Sequence, residues 1–150
     1  MRHLHWFRSD LRLNDNPALA SHAASDSLLC LYLMPKPKPW CNLTGIGPQR
    51  ERFLRESLIA LKNDLQKMGQ DLLVLEGSAE LVIPHLVERF AITEISVSDH
   101  PGWEEKCAVD YLTDKLDIPV QVHRGNTLFA ELDLPMTLDD LPLVFSPFRR

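Results

Sequence analysis

The run Leu28-Leu29-Cys30-Leu31-Tyr32-Leu33-Met34 is apolar without alternation and is closed at once by Pro35-Lys36-Pro37-Lys38-Pro39. A strand that shows one face to water alternates apolar with polar residues, whereas an unbroken apolar run fits a parallel strand covered on both faces. Proline removes ladder donors, so the chain has to leave the sheet at Pro35, and a long exposed loop is expected from there to Gly47. Helices must then lie on both faces of the sheet, joined to it by right-handed crossovers.

The rest of the chain supplies those elements. His3 to Phe7 alternates polar and apolar residues as a first strand, and Pro17 can open a short helix reaching about Ala24. The spacing predicts a helix from Pro48 to Met68, with Leu54, Leu58, Leu61, Leu65 and Met68 on one face and Gly69 as its cap. A third strand is expected over Asp71 to Leu75, and an amphipathic helix from Ser78 to Phe90, bent at Pro84. Glu94 to Ser98 is the fourth strand. A helix from Glu104 to Leu116 should bury Ala108, Tyr111, Leu112 and Leu116, and Val120 to Val122 is the fifth strand. From Gly125 on, no further regular element is expected, only a Leu-, Pro- and Asp-rich segment packed along the surface. The fold class is α/β: a Rossmann-like three-layer sandwich with a five-stranded parallel sheet.

At 150 residues, with 45% hydrophobic and 25% charged, the chain has the size and balance of one globular domain. Its net charge of −5 argues against a surface that grips a nucleic-acid backbone. Cys30, Cys41 and Cys107 include no C-x-x-C pair, which fits reduced thiols rather than a disulfide framework or zinc ribbon. The first residues lack a signal-peptide core and the longest apolar run is too short for a bilayer, so a cytoplasmic protein without a membrane partner is expected. His3 and His5 share a strand face, but no further ligand is placed beside them, and no metal is expected. Gly45-Ile46-Gly47 lacks the third glycine and the preceding strand of a dinucleotide loop. Ser9 and Asp10 lack the G-x-S-x-G elbow of a hydrolase.

Two loops stand out for polar chemistry, because ligands of open α/β sheets bind beyond the carboxyl ends of the strands. The first follows Phe7 and packs Arg8, Asp10, Arg12 and Asp15 together, either as a locally paired turn capped by Asn14 to Asn16 or as a ligand loop. The second, Asp99-His100-Pro101-Gly102-Trp103-Glu104-Glu105, can end a strand, turn, and place acids at a helix N-terminus.

The first loop belongs to a longer pattern, W-F-R-x-D-L-R-L-x-D-N-P-A-L from Trp6 to Leu19, which resembles the opening signature of the photolyase and cryptochrome family. Gly47 to Gly77 is similar to that family's second helix and third strand. Asn126-Thr127-Leu128, Asp133-Leu134-Pro135, Leu141-Pro142 and Phe145-Ser146-Pro147-Phe148-Arg149 are most similar to DASH-type cryptochromes. The resemblance implies strand order 3-2-1-4-5 and an amino-terminal antenna domain over residues 1–125. Residues 126–150 would be an extended segment leading to a helical domain that lies outside this sequence. That domain would carry FAD, the electron-transfer tryptophans and the DNA-binding surface, so the partners implied are the chain's own carboxyl-terminal FAD domain and, through it alone, DNA.

The whole protein would then act in blue-light-driven pyrimidine-dimer repair, as a photolyase-type lyase, or in photoreception. This segment would carry no catalytic residue. The implied cofactor is an antenna chromophore, methenyltetrahydrofolate ahead of deazaflavin or FMN. The residues implied to line it are Arg8, Asp10 and Arg12, then Met34, Pro35, Lys36 and Trp40, then Asp99, His100, Gly102, Trp103 and Glu104. Trp40 could stack on a planar ring and Lys36 or Lys38 could meet phosphate or glutamate tails, or the lysines could only solubilise the loop. The glutamate that holds a folate's pterin in relatives falls on or near His100 to Gly102, so weakened folate binding is expected. Two other readings stay open: a stand-alone nucleotide- or flavin-binding α/β module, and an interaction domain without catalysis. A universal-stress type of module would need a glycine-rich phosphate loop late in the chain, and the sequence has none.

Overall fold

The computed structural model describes residues 1–35, 45–127 and 133–148. Its strands are β1 (Arg2–Phe7), β2 (Ser27–Met34), β3 (Leu72–Glu76), β4 (Glu94–Ser98) and β5 (Val120–His123). Between them run α1 (Pro17–Ala20), α2 (Pro48–Lys67), α3 (Ala79–Phe90) and α4 (Trp103–Lys115). All pairings are parallel and the strand order is β3-β2-β1-β4-β5. The expected sheet is therefore the observed one.

The unbroken run of β2 divides its side chains between two cores. Leu31 points to one face with Leu4, Trp6, Ile95 and Val97, where Ile83 and Leu86 of α3 and Val109 and Leu112 of α4 cover it. Cys30 and Tyr32 point to the other with Phe7 and Leu72, beneath Leu58, Leu61 and Leu65 of α2. Each fully buried leucine of these layers contributes about 1.5–3 kcal/mol over its exposed state, which is why the run from Leu28 to Met34 carries no charged residue on either side. Helix α2 ends as expected: Gly69, at φ +78°, donates its N–H to Gln66 and Gln70 donates to Leu65, both at 3.0 Å, a cap that requires the left-handed backbone glycine adopts freely.

Several details differ from the sequence expectation. α1 stops at Ala20 and continues as turns, with Ser21 Oγ donating to Ala18 O at 2.8 Å; it buries only Ala18, so no apolar stripe prolongs it. Met68 is 71% exposed because the chain has already left the helix there. In α4 the buried positions are Val109 and Leu112, flanked by partly buried Ala108 and Leu116, while Tyr111 is exposed. The inward stripe is thus 105-108-109-112-116, and Tyr111 falls one position off it. α3 runs from Ala79 to Phe90 through Pro84. Beyond Gly125, where no regular element is expected, a 3-10 turn forms at Leu138–Asp140 and a short helix, α5, at Phe145–Phe148. Among the described residues no helix is long and apolar enough to cross a membrane.

Candidate functional site

The loop after β1 is held by its second charge. Asp10 Oδ1 accepts the backbone N–H of Arg8 at 3.2 Å, and Oδ2 accepts from the Asn16 amide at 3.3 Å and from the Ser98 hydroxyl at the end of β4. Asn16 is buried, donates also to Arg12 O at 3.1 Å, and accepts from Leu19 N at 3.1 Å as the N-cap of α1. Arg12 reaches Gly125 O at 3.3 Å and stands 4.0 Å from Asp15. Asp10 and Arg12 therefore tie the loop to β4 and to the exit of β5.

The loop after β4 is fixed in the same manner. Asp99 accepts from Gly125 N at 3.2 Å and from the Asn126 amide, and its own N–H donates to His123 O at 2.8 Å. Gly102 N donates to His100 Nδ1 at 3.1 Å, which makes that ring nitrogen an acceptor and puts the neutral ring's proton on Nε2. A Cβ at Gly102 would lie 2.1 Å from Glu105 Oε2 and 3.0 Å from His100 Nδ1, so a side chain there would displace both groups.

Between these loops a cleft of about 430 Å³ opens at the carboxyl end of the sheet. Its floor is Trp6, Tyr32 and Leu33; α2 contributes Arg50, Phe53 and Leu54, and the α4 side contributes His100 and Glu105. Arg8, Ser9, Leu11, Pro35 and Ile46 complete the described lining. The Arg8 guanidinium sits 4.9 Å from the Trp6 ring centroid. Burial lowers its pKa from the usual arginine value, against the opposing fields of Glu105 and Asp10. Burial likewise raises the Tyr32 phenol, with Arg50 opposing. Glu105 Oε2 lies 3.8 Å from His100 Nδ1.

Of the candidates named from the sequence, Arg8, Pro35 and His100 line this cleft. Asp10, Arg12, Asp99 and Gly102 do not line it; their hydrogen bonds hold the two loops in place. Met34 lines a different depression, about 360 Å³ between β3 and α2, with Arg55, Leu58 and Val74. Trp103 is 77% exposed and neither it nor Glu104 lines the cleft, because on α4 it is Glu105 that falls on the inward stripe. Lys36 and Trp40 lie outside the described residues. Sequence reasoning did not name the other lining residues as site candidates: Trp6, Ser9, Leu11, Tyr32, Leu33, Ile46, Arg50, Phe53, Leu54 and Glu105. Arg50 and Glu105 were within its reach: Arg50 precedes Leu54 and Leu58 by whole turns of α2, and Glu105 extends the stripe of Ala108 and Leu112. Among the described residues no group of three or more His, Cys, Asp or Glu side chains is arranged to hold a metal.

The sequence model for DNA photolyase matches residues 3–150. The chain belongs to the DNA photolyase family. Within it, the chain is 35% identical to a cryptochrome DASH of Idiomarina loihiensis over 96% of its own length and 33% of that relative's. A Synechocystis cryptochrome structure superposes with a TM-score of 0.86 at 33% identity, covering 99% of this chain and 32% of that one. A class III photolyase from Agrobacterium tumefaciens does so with a TM-score of 0.78 at 26% identity, covering 98% and 30%. The chain thus spans about a third of the length of its photolyase and cryptochrome relatives and corresponds to the family's amino-terminal α/β domain.

Proposed function

We propose that this domain is the antenna module of a DASH-type flavoprotein, holding a light-harvesting chromophore in the cleft at the carboxyl end of its sheet. The observation that carries the reading is the composition of that cleft. Apolar and aromatic walls from Trp6, Tyr32, Leu33, Phe53 and Leu54 surround a small set of polar groups, Arg8, Arg50, His100 and Glu105, as sites for planar ligands do. A folate pterin, a deazaflavin or the isoalloxazine of FMN would fit such walls, methenyltetrahydrofolate being the first choice. The bound chromophore would supply absorption in the near ultraviolet and blue. Residues of this chain would orient it: Glu105 accepts N–H groups from the ring edge, His100 fixes that edge from the loop after β4, and Phe53 closes the α2 side. Glu105 takes the place of the pterin-holding glutamate that His100 to Gly102 lacks.

In this reading the segment performs no chemistry itself. FAD, electron transfer, pyrimidine-dimer repair or photoreception, and DNA contact are assigned to the helical domain that family members carry. The experiment is a titration of methenyltetrahydrofolate against the chain and against a full-length version, with Glu105→Gln and Glu104→Gln variants of each. Loss of one charge-assisted hydrogen bond in a partly buried site costs about 1.5–3 kcal/mol, so E105Q should weaken binding roughly ten- to a hundredfold while E104Q leaves it unchanged. Equal effects of the two variants would remove Glu105, and with it this placement of the ring, from consideration.

A further inference from the structure

We infer that the outward face of α4 is a docking surface for a basic amphipathic helix of a partner protein, with Trp103, Cys107 and Tyr111 as its apolar stripe and Asp110 and Asp114 as its charged contacts. The inference concerns the side of α4 that faces away from the cleft and does not depend on what the cleft binds.

A surface helix ordinarily buries one stripe and shows charge on the other. α4 buries Val109 and Leu112, with Ala108 and Leu116 beside them, yet its outward side is not purely polar. Trp103 is 77% exposed and Tyr111 45%, and the Cys107 thiol lies open between them. At positions i, i+4 and i+8 the three form one row about 12 Å long, just over two turns of helix. Exposed apolar residues scattered singly need no explanation, whereas aromatic residues gathered in a row mark an interaction surface.

The charges on this face point to the occupant. α2 neutralises its own exposed side: Arg52 pairs with Glu56 and Arg55 with Glu51 at 2.8 Å, and Lys67 with Asp64 at 2.7 Å. α4 does not. Asp110 and Asp114 are exposed one turn apart, and among the described residues neither carboxylate forms an ion pair or accepts a hydrogen bond. Lys106 stands one turn before Asp110, at the spacing that closes the α2 pairs, yet no pair forms there. Two like charges at i, i+4 weaken a helix rather than support it, so this arrangement does nothing for α4 by itself. In helical projection both acids fall within about 60° of Cys107, and Lys106 and Lys115 lie about a quarter turn away on either side.

This pattern selects among partners. A second copy of the chain would set acid against acid, because antiparallel α4 helices with Cys107 on their two-fold axis oppose Asp110 to Glu104. Anionic lipid and nucleic acid are repelled for the same reason. A helix with an apolar stripe at matching spacing and Lys or Arg along its edges satisfies both parts of the face: it covers Trp103 and Tyr111, and its cations reach Asp110 and Asp114. Guanidinium groups at those edges also stack on the two aromatic rings. Contact along one helix face is small, which makes the complex a transient one.

Cys107 supplies the readout, since a docked helix covers its thiol while Cys30 is buried throughout. The probes are synthetic four-turn helices with Leu and Trp on one side and Lys and Arg on the other, and counterparts with Glu at every basic position. Alkylation of Cys107 by N-ethylmaleimide is followed by mass spectrometry of its peptide, for the chain and for a full-length version, with amide shifts of α4 recorded alongside. At least one basic helix, at about ten times its Kd, should slow Cys107 alkylation about tenfold and shift the α4 amides, whereas the acidic set should do neither. Trp103→Ala and Tyr111→Ala should each raise the midpoint concentration for protection about tenfold. Asp110→Lys combined with Asp114→Lys should abolish protection by the basic helices and admit the acidic ones. Glu56→Lys combined with Asp64→Lys changes the net charge equally, but on α2, and should leave protection as it was. Equal loss in the two double variants would reduce the effect to net charge and overturn the inference. So would failure of every basic helix to protect Cys107, protection that rises with the chain's own concentration, or a Cys107 already shielded in the full-length version without peptide.

Discussion

Asp10 shows how a charged residue at the carboxyl end of a sheet can act wholly through its neighbours. Its two oxygens take up Arg8 N, the Asn16 amide and the Ser98 hydroxyl, joining the ends of β1 and β4 across the point where the strand order reverses. Asp10→Ala removes the acceptor and leaves a buried Asn16 short of a partner, so it should destabilise the domain by about 1.5–3 kcal/mol, read as a lowered urea midpoint with an unchanged slope. Asp10→Asn should cost less, because its carbonyl can still accept from Ser98 or Asn16. A neutral result for both variants would mean the loop is held by other contacts. At this scale the sequence was legible in type more than in role. The charged loop was visible, but whether each charge faces ligand or scaffold depends on hydrogen bonds between residues some ninety positions apart, Asp10 to Ser98.

At the scale of elements, periodicity located every strand and every helix from β1 to β5, because each face has a core to fill. Its errors sit where a helix is short or weakly amphipathic. α4 carries Ala108, Val109, Tyr111 and Leu112 in one turn and a half, and the largest apolar side chain drew the expected stripe toward Tyr111. Packing placed Val109 inside instead, against the same core as Ile95 and Leu112. The consequence can be measured on two variants. Val109→Ala removes two buried methyl groups and should cost about 1–2 kcal/mol, near 0.8 per methylene plus a small cavity term. Tyr111→Ala, on an exposed position, should change stability by about 0.5 kcal/mol or less. The reverse order would restore Tyr111 to the core. The turn at Leu138–Asp140 and the helix α5 were illegible for a related reason: none of their described residues is buried, so they leave no periodic pattern to read.

Across the whole molecule, parallel order and two-sided cover could be argued from β2 alone, whereas strand order came from family resemblance, since periodicity carries no information on which strands are neighbours. What neither source indicated is that the sheet face under α1 is polar. His5 is fully buried with Nδ1 2.8 Å from Ser96 Oγ, and its Nε2 has no partner among the described residues. His22, whose two ring nitrogens also lack one, lies against His3, with ring centroids 4.5 Å apart. Burial holds the pKa of both His5 and His22 down at about 4; the neighbouring histidines add to the shift, and Asp10 and Glu94 respectively oppose it. The sign follows from proton counting. Between the unfolded value of 6.5 and a folded value of about 4, the unfolded chain binds more protons, so stability is full above pH 6.5 and falls as pH drops toward 4. For His5 alone the loss approaches about 3 kcal/mol at the acid end of that window, a large part of a small domain's stability. Urea midpoints recorded from pH 7 to 4 should therefore decline most steeply below 6.5. His5→Phe combined with His22→Phe should flatten that decline while leaving the further loss below pH 4, where carboxylates such as Asp71 protonate, in place. A double variant with the same profile as the parent would show that the buried histidines already find partners for their protons in the folded state.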